Sequence, residues 1–261
     1  MQHLKPSVIM ATYKRRGYKP KKDKEQQIED ESTTAEVFST LDEGAHKTEI
    51  WLEKNQKKVF GIVGAIAAVV LLVLLYQNFV SKPKEKDAMN DMFQAQLYFE
   101  KAVDGEDPET NYNLALNGGD GNFGFLDVMQ NYKRTKAANL ANYYAGMAYL
   151  HTRDYKNAVV HLDKFKSKDE LLAPLATGAI GDAFVQLEQY KDALDYYEKA
   201  ANMRENEVTT PIYLLKAGVI ALDLDKPALA KKYLEKLTDQ YPETKEAKKA
   251  LTYLGTAQVR N

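Results

Sequence analysis

Residues 180–200 read IGDAFVQLEQYKDALDYYEKA, and two other segments of the chain follow the same pattern without gaps. They are AGMAYLHTRDYKNAVVHLDKF at residues 145–165 and AGVIALDLDKPALAKKYLEKL at residues 217–237. The glycines of the three copies recur 35 and 37 residues apart. Tandem copies at nearly constant spacing are typical of a solenoid of helical hairpins, in which each repeat buries its apolar face against its neighbours.

The spacing of small and large residues inside each copy predicts how its two helices pack. Gly146, Gly181 and Gly218 are each followed twelve residues later by an alanine and four residues after that by a large residue. The alanines are Ala158, Ala193 and Ala230, and the large residues are Leu162, Tyr197 and Leu234. Small residues let antiparallel helices approach closely, while large residues fill the remaining groove. We therefore predict an all-α fold with three hairpins over residues 135–242.

Residues 57–76, KKVFGIVGAIAAVVLLVLLY, form the one long apolar block of a polar chain. A helix from Val59 to Ser81 carries no charge and spans roughly 34 Å, enough to cross a bilayer core of about 30 Å. Apolar residues cover every face of this helix, whereas a surface helix of a soluble domain keeps a polar stripe. The sequence therefore predicts a transmembrane helix over residues 59–80. No small-x-small cleavage site follows it, so we expect it to be retained.

The regions on either side of this helix differ in charge and pattern. Residues 1–58 place a basic block before an acidic one, which predicts a polar, largely disordered tail. A charged leader with no signal of its own is hard to translocate, so we expect this tail in the cytoplasm. Residues 81–134 predict a linker and a leading helical hairpin with a Gly-rich connection. Residues 243–261 predict a C-terminal capping helix that is polar on its outer side.

Proline and threonine mark the expected ends of several helices. Thr135, Thr210 before Pro211, and Asp225 before Pro227 are the start signals. Pro242 is expected to end the last hairpin.

No part of the chain carries a recognisable catalytic or metal-binding pattern. Gly119, Gly121 and Gly124 satisfy G-x-G-x-x-G, but a dinucleotide site also needs a preceding strand and an acidic residue about 20 positions later. Position 144 is a tyrosine, so we interpret this stretch as a turn between helices. The four histidines lack zinc-motif spacing, and the chain has no cysteine. We expect no enzymatic activity, no cofactor and no bound metal.

Function is expected on the concave face, which the first helix of each hairpin forms. The residues predicted to face a partner there are Leu140, Tyr143, Met147, Leu150 and His151; Leu175, Asp182, Val185 and Gln186; and Ile212, Leu215, Val219, Leu222 and Asp223. This face is mostly apolar and lacks the Lys, Arg and Asn residues with which some repeats grip acidic tails. It suits a helical or hydrophobic protein segment, held by burial of apolar surface.

The sequence also indicates two contacts outside the three hairpins, one by the leading helix and one by the apolar block. The leading helix is an alternative occupant of the groove, through Met92, Phe93, Leu97 and Phe99, and the sequence leaves both occupants open. Within the apolar block, small residues four positions apart allow another membrane helix to approach. These are Gly61 with Ala65 and Gly64 with Ala68.

The repeat landmarks resemble those of the tetratricopeptide repeat (TPR). They are a glycine, an aromatic residue three positions later in two copies (Tyr149 and Phe184, with Ala221 in the third), an alanine and, in the last copy, a closing proline. The layout of leader, anchor and repeats is similar to the YfgM-like ancillary subunits of the bacterial Sec translocon. Residues 132–151, YKRTKAANLANYYAGMAYLH, are similar to the first repeat of such proteins from Bacteroidetes-like bacteria.

The resemblance implies a single-pass protein of the bacterial inner membrane with its repeats in the periplasm. The implied partners are a SecYEG-type translocon, a membrane-anchored prolyl isomerase, and unfolded or helical client segments, with no nucleic acid expected. The alternative is a structural scaffold for envelope assembly or cell division.

Overall fold

The computed structural model describes residues 33–260, with side chains from residue 46 to residue 259 except residue 47. These residues form eleven α-helices and no β-strand. Helix α1 spans Thr33–Tyr76, and a π-helical turn, Gln77–Ser81, follows it. The other helices are α2 (Lys82–Val103), α3 (Pro108–Asn117), α4 (Phe125–Asn131), α5 (Lys136–His151), α6 (Tyr155–Lys164), α7 (Leu172–Gln186), α8 (Tyr190–Asn202), α9 (Thr209–Asp223), α10 (Pro227–Gln240) and α11 (Lys245–Arg260).

Helix α1 contains the apolar block and extends well upstream of it. Every side chain from Phe60 to Val80 is exposed, unlike those of a core helix, and the helix is long and apolar enough to cross a membrane. Residues 33–58 are helical, although the sequence analysis expects a largely disordered tail up to residue 58. No proline interrupts the chain between Thr33 and Pro83, which permits this extension. Residues 1–32 lie outside the described residues.

From α2 onward the helices pack in chain order as hairpins. Helix α5 pairs with α6, α7 with α8, and α9 with α10. Each first helix also packs on the second helix of the preceding hairpin, and α11 packs on α10 in the same way. The predicted all-α solenoid is therefore confirmed, because each unit contacts its neighbours in sequence.

The two helices of each hairpin meet at the predicted glycines. A methyl group at Gly146, Gly181 or Gly218 would lie 2.5, 2.7 or 2.6 Å from the nearest side-chain atom of the second helix. Those atoms belong to Leu162, Tyr197 and Leu234, respectively. Because a side chain at these positions would overlap its partner, glycine sets the distance between the helices. The predicted contact between small and large residues is confirmed in all three copies.

The region between α2 and α5 contains a helix that the sequence analysis missed. Helix α3, Pro108–Asn117, pairs with α2, and the Gly-rich stretch joins α3 to α4. Gly118 and Gly121 have φ values of +81° and +79°, in the left-handed region that favours glycine. A methyl group at Gly124 would lie 2.3 Å from the carbonyl oxygen of Leu116. The stretch is a tight turn between helices, as predicted.

Helix α5 is capped both locally and from a distant part of the chain. The hydroxyl of Thr135 accepts a hydrogen bond from the backbone N–H of Ala138 at 3.0 Å, as predicted. The carboxylate of Glu85, in the first turn of α2, accepts from the N–H groups of Lys136 at 2.7 Å and Ala137 at 2.8 Å. A carboxylate is favourable at a helix N-terminus because the unpaired N–H groups there carry positive charge. The first turn of α2 is therefore fixed to the first repeat.

Helix α9 starts differently from the prediction, and helix α7, for which no start was predicted, is capped in a similar way. The side-chain oxygens of Asp169 and Asn206 each accept hydrogen bonds from two backbone N–H groups at the start of α7 and α9. Thr210 is not the cap, because it lies inside α9 and its hydroxyl accepts from the N–H of Asn206 at 2.9 Å. Helix α10 does begin at Pro227, but its cap position is Lys226 rather than Asp225. Asp and Asn side chains commonly organise such turns.

The exposed side of α11 carries mainly polar residues, but it also presents large apolar side chains. Ala247, Ala250 and Ala257 are buried against the preceding hairpin. Leu251 and Val259, however, are 63% and 89% exposed. The helix carries a second apolar stripe that nothing covers in the described part of the chain.

Replacing Gly181 by Ala should destabilise the solenoid. The added methyl group meets the ring of Tyr197, which is buried and hydrogen-bonded and cannot move away cheaply. Overpacking costs about 1–3 kcal/mol, and the better helix propensity of Ala offsets about 1 kcal/mol of that. We expect the free energy of unfolding, measured by urea denaturation, to fall by about 1 kcal/mol. Gly255→Ala is the control, since a methyl group there has nothing within 4 Å, and it should be neutral or stabilising.

Glu85→Ala should also lower stability, because it removes both hydrogen bonds to the first turn of α5. Loss of a helix cap costs about 0.5–2 kcal/mol. The exposed residue Glu100 on the same helix provides a control, and Glu100→Ala should leave the urea midpoint nearly unchanged. Equal effects of the two substitutions would show that the cap contributes nothing.

Candidate protein-binding surface

The residues predicted to face a partner lie on α5, α7 and α9, the first helices of the three hairpins. Leu222 is only 5% exposed and belongs to the core, so a partner cannot contact it directly. Most of the remaining apolar side chains are half-buried because they pack between consecutive hairpins. These are Leu140, Tyr143, Met147 and Leu150 on α5, Leu175 and Val185 on α7, and Ile212 and Leu215 on α9. Val219 is half-buried as well. The apolar residues therefore mainly stack the repeats.

Polar residues occupy the accessible positions of the same face. His151, Gln186 and Asp223 each lie five residues after the glycine of their hairpin, and all three are exposed. A partner lying across α5, α7 and α9 would meet this polar row, with half-buried apolar side chains beside it. The groove is therefore more polar than the sequence analysis predicts.

The leading helix does not fill the groove. Helix α2 packs on α3, α4 and α5, and it extends the row of helices instead of lying along α7 and α9. Met92 is fully buried and Phe99 is partly buried in that first layer. Phe93 is 59% exposed, so it does not occupy a groove. This excludes the alternative in which α2 blocks the concave face.

A charged pair connects the second and third hairpins on this face. The Nζ atom of Lys216 lies 2.6 Å from Oδ1 of Asp182, and the hydroxyl of Tyr197 donates to the same oxygen at 2.6 Å. The Lys216 ammonium also lies 5.5 and 5.7 Å from the ring centres of Tyr197 and Tyr213, within cation–π range. Both charged side chains are about one-third exposed.

The sequence pattern predicts Asp182 on the concave face, but it does not single out Lys216. Lys216 lies two residues before Gly218, and its side chain reaches back to the preceding hairpin. Asp182 and Lys216 carry opposite charges and lie 34 residues apart, which is about one repeat period. This spacing is the sequence feature from which their contact could have been predicted. This face therefore does carry a lysine, contrary to the prediction, although Lys216 already has a carboxylate partner.

The Asp182 region also affects two buried tyrosines. Burial, followed by the negative charge of Asp182, raises the pKa of Tyr197 above its usual value. The same two causes raise the pKa of Tyr213. Both hydroxyls therefore remain protonated and able to donate hydrogen bonds well above neutral pH.

A groove of about 370 Å³ lies between α5 and α7, next to Asp182. Leu150 and Val185 form apolar parts of its wall, and His151, Arg153, Tyr155 and Gln186 supply polar groups. The hydroxyl of Tyr155 donates to the side-chain oxygen of Gln186 at 3.2 Å. A mixture of apolar wall and hydrogen-bonding groups suits a short stretch of polypeptide.

The histidines of the repeats make packing contacts. The ring of His151 stacks on Tyr112 at 4.9 Å, and Nδ1 of His161 lies 3.2 Å from Oδ1 of Asn142. Burial lowers the pKa of both imidazoles, which favours their neutral forms. Within the described residues, no three His, Cys, Asp or Glu side chains are arranged to hold a metal.

The small residues of the apolar block have open faces. Methyl groups at Gly61 and Gly64 would meet no atom within 4 Å, and Ala65 and Ala68 are exposed. The predicted approach of another membrane helix at these residues stays a prediction.

The family model described as "T7SS, ESX-1 secretion system protein EccA1, N-terminal domain" matches residues 88–253. The match begins in α2 and ends in α11, so it covers every hairpin of the solenoid. No curated protein matches the chain significantly.

Asp182→Asn should lower the pKa of Tyr197 and Tyr213, because it removes the negative charge next to both hydroxyls. The measurement is a pH titration of ¹³C-labelled tyrosine ring resonances in the folded protein. Glu188→Gln removes a charge from an exposed position and serves as the control.

Asp182→Asn should also change how the stability of the fold depends on pH. A tyrosine whose folded-state pKa is raised stabilises the fold below pH 10, and this contribution is lost as the pH rises further. The variant should therefore lose less stability in alkali.

Proposed function

The chain belongs to the family of the N-terminal domain of the T7SS, ESX-1 secretion system protein EccA1, and from this membership we propose a membrane-anchored protein-interaction subunit in protein export. The observation that carries the proposal is the extent of the match, which includes all the hairpins and leaves out the apolar helix. A helical interaction domain in a secretion context is thereby combined with a helix able to cross a membrane.

We propose that the hairpins are TPR-like repeats. Three features support this assignment: a period of 35–37 residues, the glycine landmarks and their contact with a large residue of the second helix. In such solenoids the first helices form the binding face, and here they carry the exposed polar row.

The proposed topology is a single-pass protein of the bacterial inner membrane, with the N-terminus in the cytoplasm and the solenoid in the periplasm. The charged residues before the apolar helix support this orientation. Small residues on the anchor would then contact a membrane helix of a partner.

The proposed partners are those of YfgM-like proteins: a SecYEG-type translocon, a membrane-anchored prolyl isomerase and emerging client segments. The sequence resemblance supports the Sec translocon, whereas the family match names the ESX-1 secretion system. Both resemblances concern protein export, and they differ in which export machinery the chain would serve.

The proposed activity is binding without catalysis. Polar groups of the groove pair with one another, as Tyr155 does with Gln186 and Lys216 with Asp182. A client or partner segment would cross α5, α7 and α9 over the polar row of His151, Gln186 and Asp223. The half-buried leucines and valines beside the row would add apolar contact.

Site-specific photo-crosslinking in intact cells tests this proposal. A photoreactive residue at Gln186 or Asp223 should capture translocon subunits, the prolyl isomerase or exported clients. Lys191 and Lys232, exposed on the second helices α8 and α10, are the matched controls and should capture little. Charging Met147 or Leu215 would be a poorer test, because both side chains are half-buried and pack against the core.

A single stoichiometric envelope partner without exported clients would favour the structural scaffold instead. Equal capture from both faces would contradict the assignment of the binding face. Release of the protein from membranes by carbonate would contradict the anchor.

A further inference from the structure

Helix α11 has the same start and length as α5, the first helix of the first complete hairpin. Both contain 16 residues. The hydroxyl of Thr244 accepts from the N–H of Ala247 at 3.2 Å, just as Thr135 caps α5. From these threonines the sequences run TKAANLANYYAGMAYLH and TKEAKKALTYLGTAQVR, and they are identical at seven of seventeen positions. Helix α11 therefore has the cap, the length and the sequence pattern of the first helix of a hairpin.

The faces that pack on the preceding helices also correspond. Ala138, Ala141 and Ala148 of α5 are buried, and so are Ala247, Ala250 and Ala257 at the same positions of α11. Gly255 corresponds to Gly146 on the neighbouring face. This equivalence fixes which side of α11 would receive a second helix.

In α5 the corresponding side is covered by α6. Leu162 sits on Gly146, and the side chain of Asn139 exchanges two hydrogen bonds with the backbone of Lys166, just beyond the end of α6. His161 pairs with Asn142 between these points. Three contacts along one stripe therefore hold the second helix of the hairpin.

In α11 the same stripe consists of Lys248, Leu251 and Gly255, and it is open. A methyl group at Gly255 would meet no described atom within 4 Å, and Leu251 is 63% exposed. Val259, which borders the stripe, is 89% exposed. The three occupied copies in the same chain show what this surface accommodates.

We propose that this stripe binds one amphipathic helix of a partner protein, lying antiparallel to α11 as α6 lies on α5. The bound helix carries a leucine or tyrosine that sits on Gly255, with an alanine four residues before it. Ala158 with Leu162, Ala193 with Tyr197, and Ala230 with Leu234 display this pattern in the three hairpins.

Charge specifies the partner further. Helix α11 carries Lys245, Lys248 and Lys249 against the single acidic residue Glu246, so an acidic helix is favoured. Lys248 takes the position from which Asn139 holds the end of α6, and a cation is favourable at a helix C-terminus. An α11 helix of a second copy carries the same excess of positive charge, which disfavours a homodimer through this face. The inference does not depend on the proposed concave-face function, since it uses a different helix.

The test uses a fluorescent peptide, YKDALDYYEKAAN, which is the sequence of α8 and carries Ala193, Tyr197 and three acidic residues. Fluorescence polarisation measures its binding to the full chain in detergent micelles. We expect saturable binding that Gly255→Leu weakens at least about tenfold, because the leucine fills the position of the peptide tyrosine. The variant should fold normally, since position 255 is open, and circular dichroism checks this.

Lys191→Leu, at an exposed position of α8, is the matched control and should bind the peptide like the unmodified chain. A peptide with its three acidic residues replaced by amides should bind more weakly. Absence of binding, or equal binding to the Gly255→Leu variant, would overturn the proposal. A dimer that Gly255→Leu converts to a monomer would overturn it too, because the occupant would then be a second copy.

Discussion

The solenoid depends on the close approach of two helices at one glycine in each hairpin. At Gly146, Gly181 and Gly218 the absence of a side chain lets a leucine or tyrosine of the second helix lie directly on the backbone of the first. This contact fixes the spacing of each hairpin, and the spacing in turn positions the surfaces on which the next hairpin packs. The candidate binding face and the contact of Lys216 with Asp182 both depend on that repeated geometry.

Much of the fold could be predicted because the packing rule is local and repeats. Three glycines at nearly equal spacing define three hairpins, and a 16-residue separation between each glycine and its large partner defines their pairing. Helix α3 was missed because it has no repeat partner in the sequence. The cap of α9 was missed because Thr210 before Pro211 offered a simpler signal than Asn206, although Asn206 organises the turn.

The binding face was harder to predict than the fold. Periodicity identifies which residues share a helix face, but it does not reveal how much of each side chain the neighbouring hairpin covers. Leu222 and Asp223 are adjacent in sequence, yet the first is core and the second is exposed. The pairing of Lys216 with Asp182 depends on the rotation between hairpins, which sequence spacing alone does not define.

That pairing has a mechanical consequence. Asp182 is held by Tyr197 of its own hairpin and by Lys216 of the next, so one carboxylate adds a charged contact to the joint between two hairpins. The hydroxyl of Tyr213 also donates across this joint, to the carbonyl of Leu175. Apolar contacts tolerate small sliding movements, whereas a hydrogen-bonded ion pair has a preferred length and direction. The joint between the second and third hairpins should therefore resist sliding more than it would with apolar contacts alone.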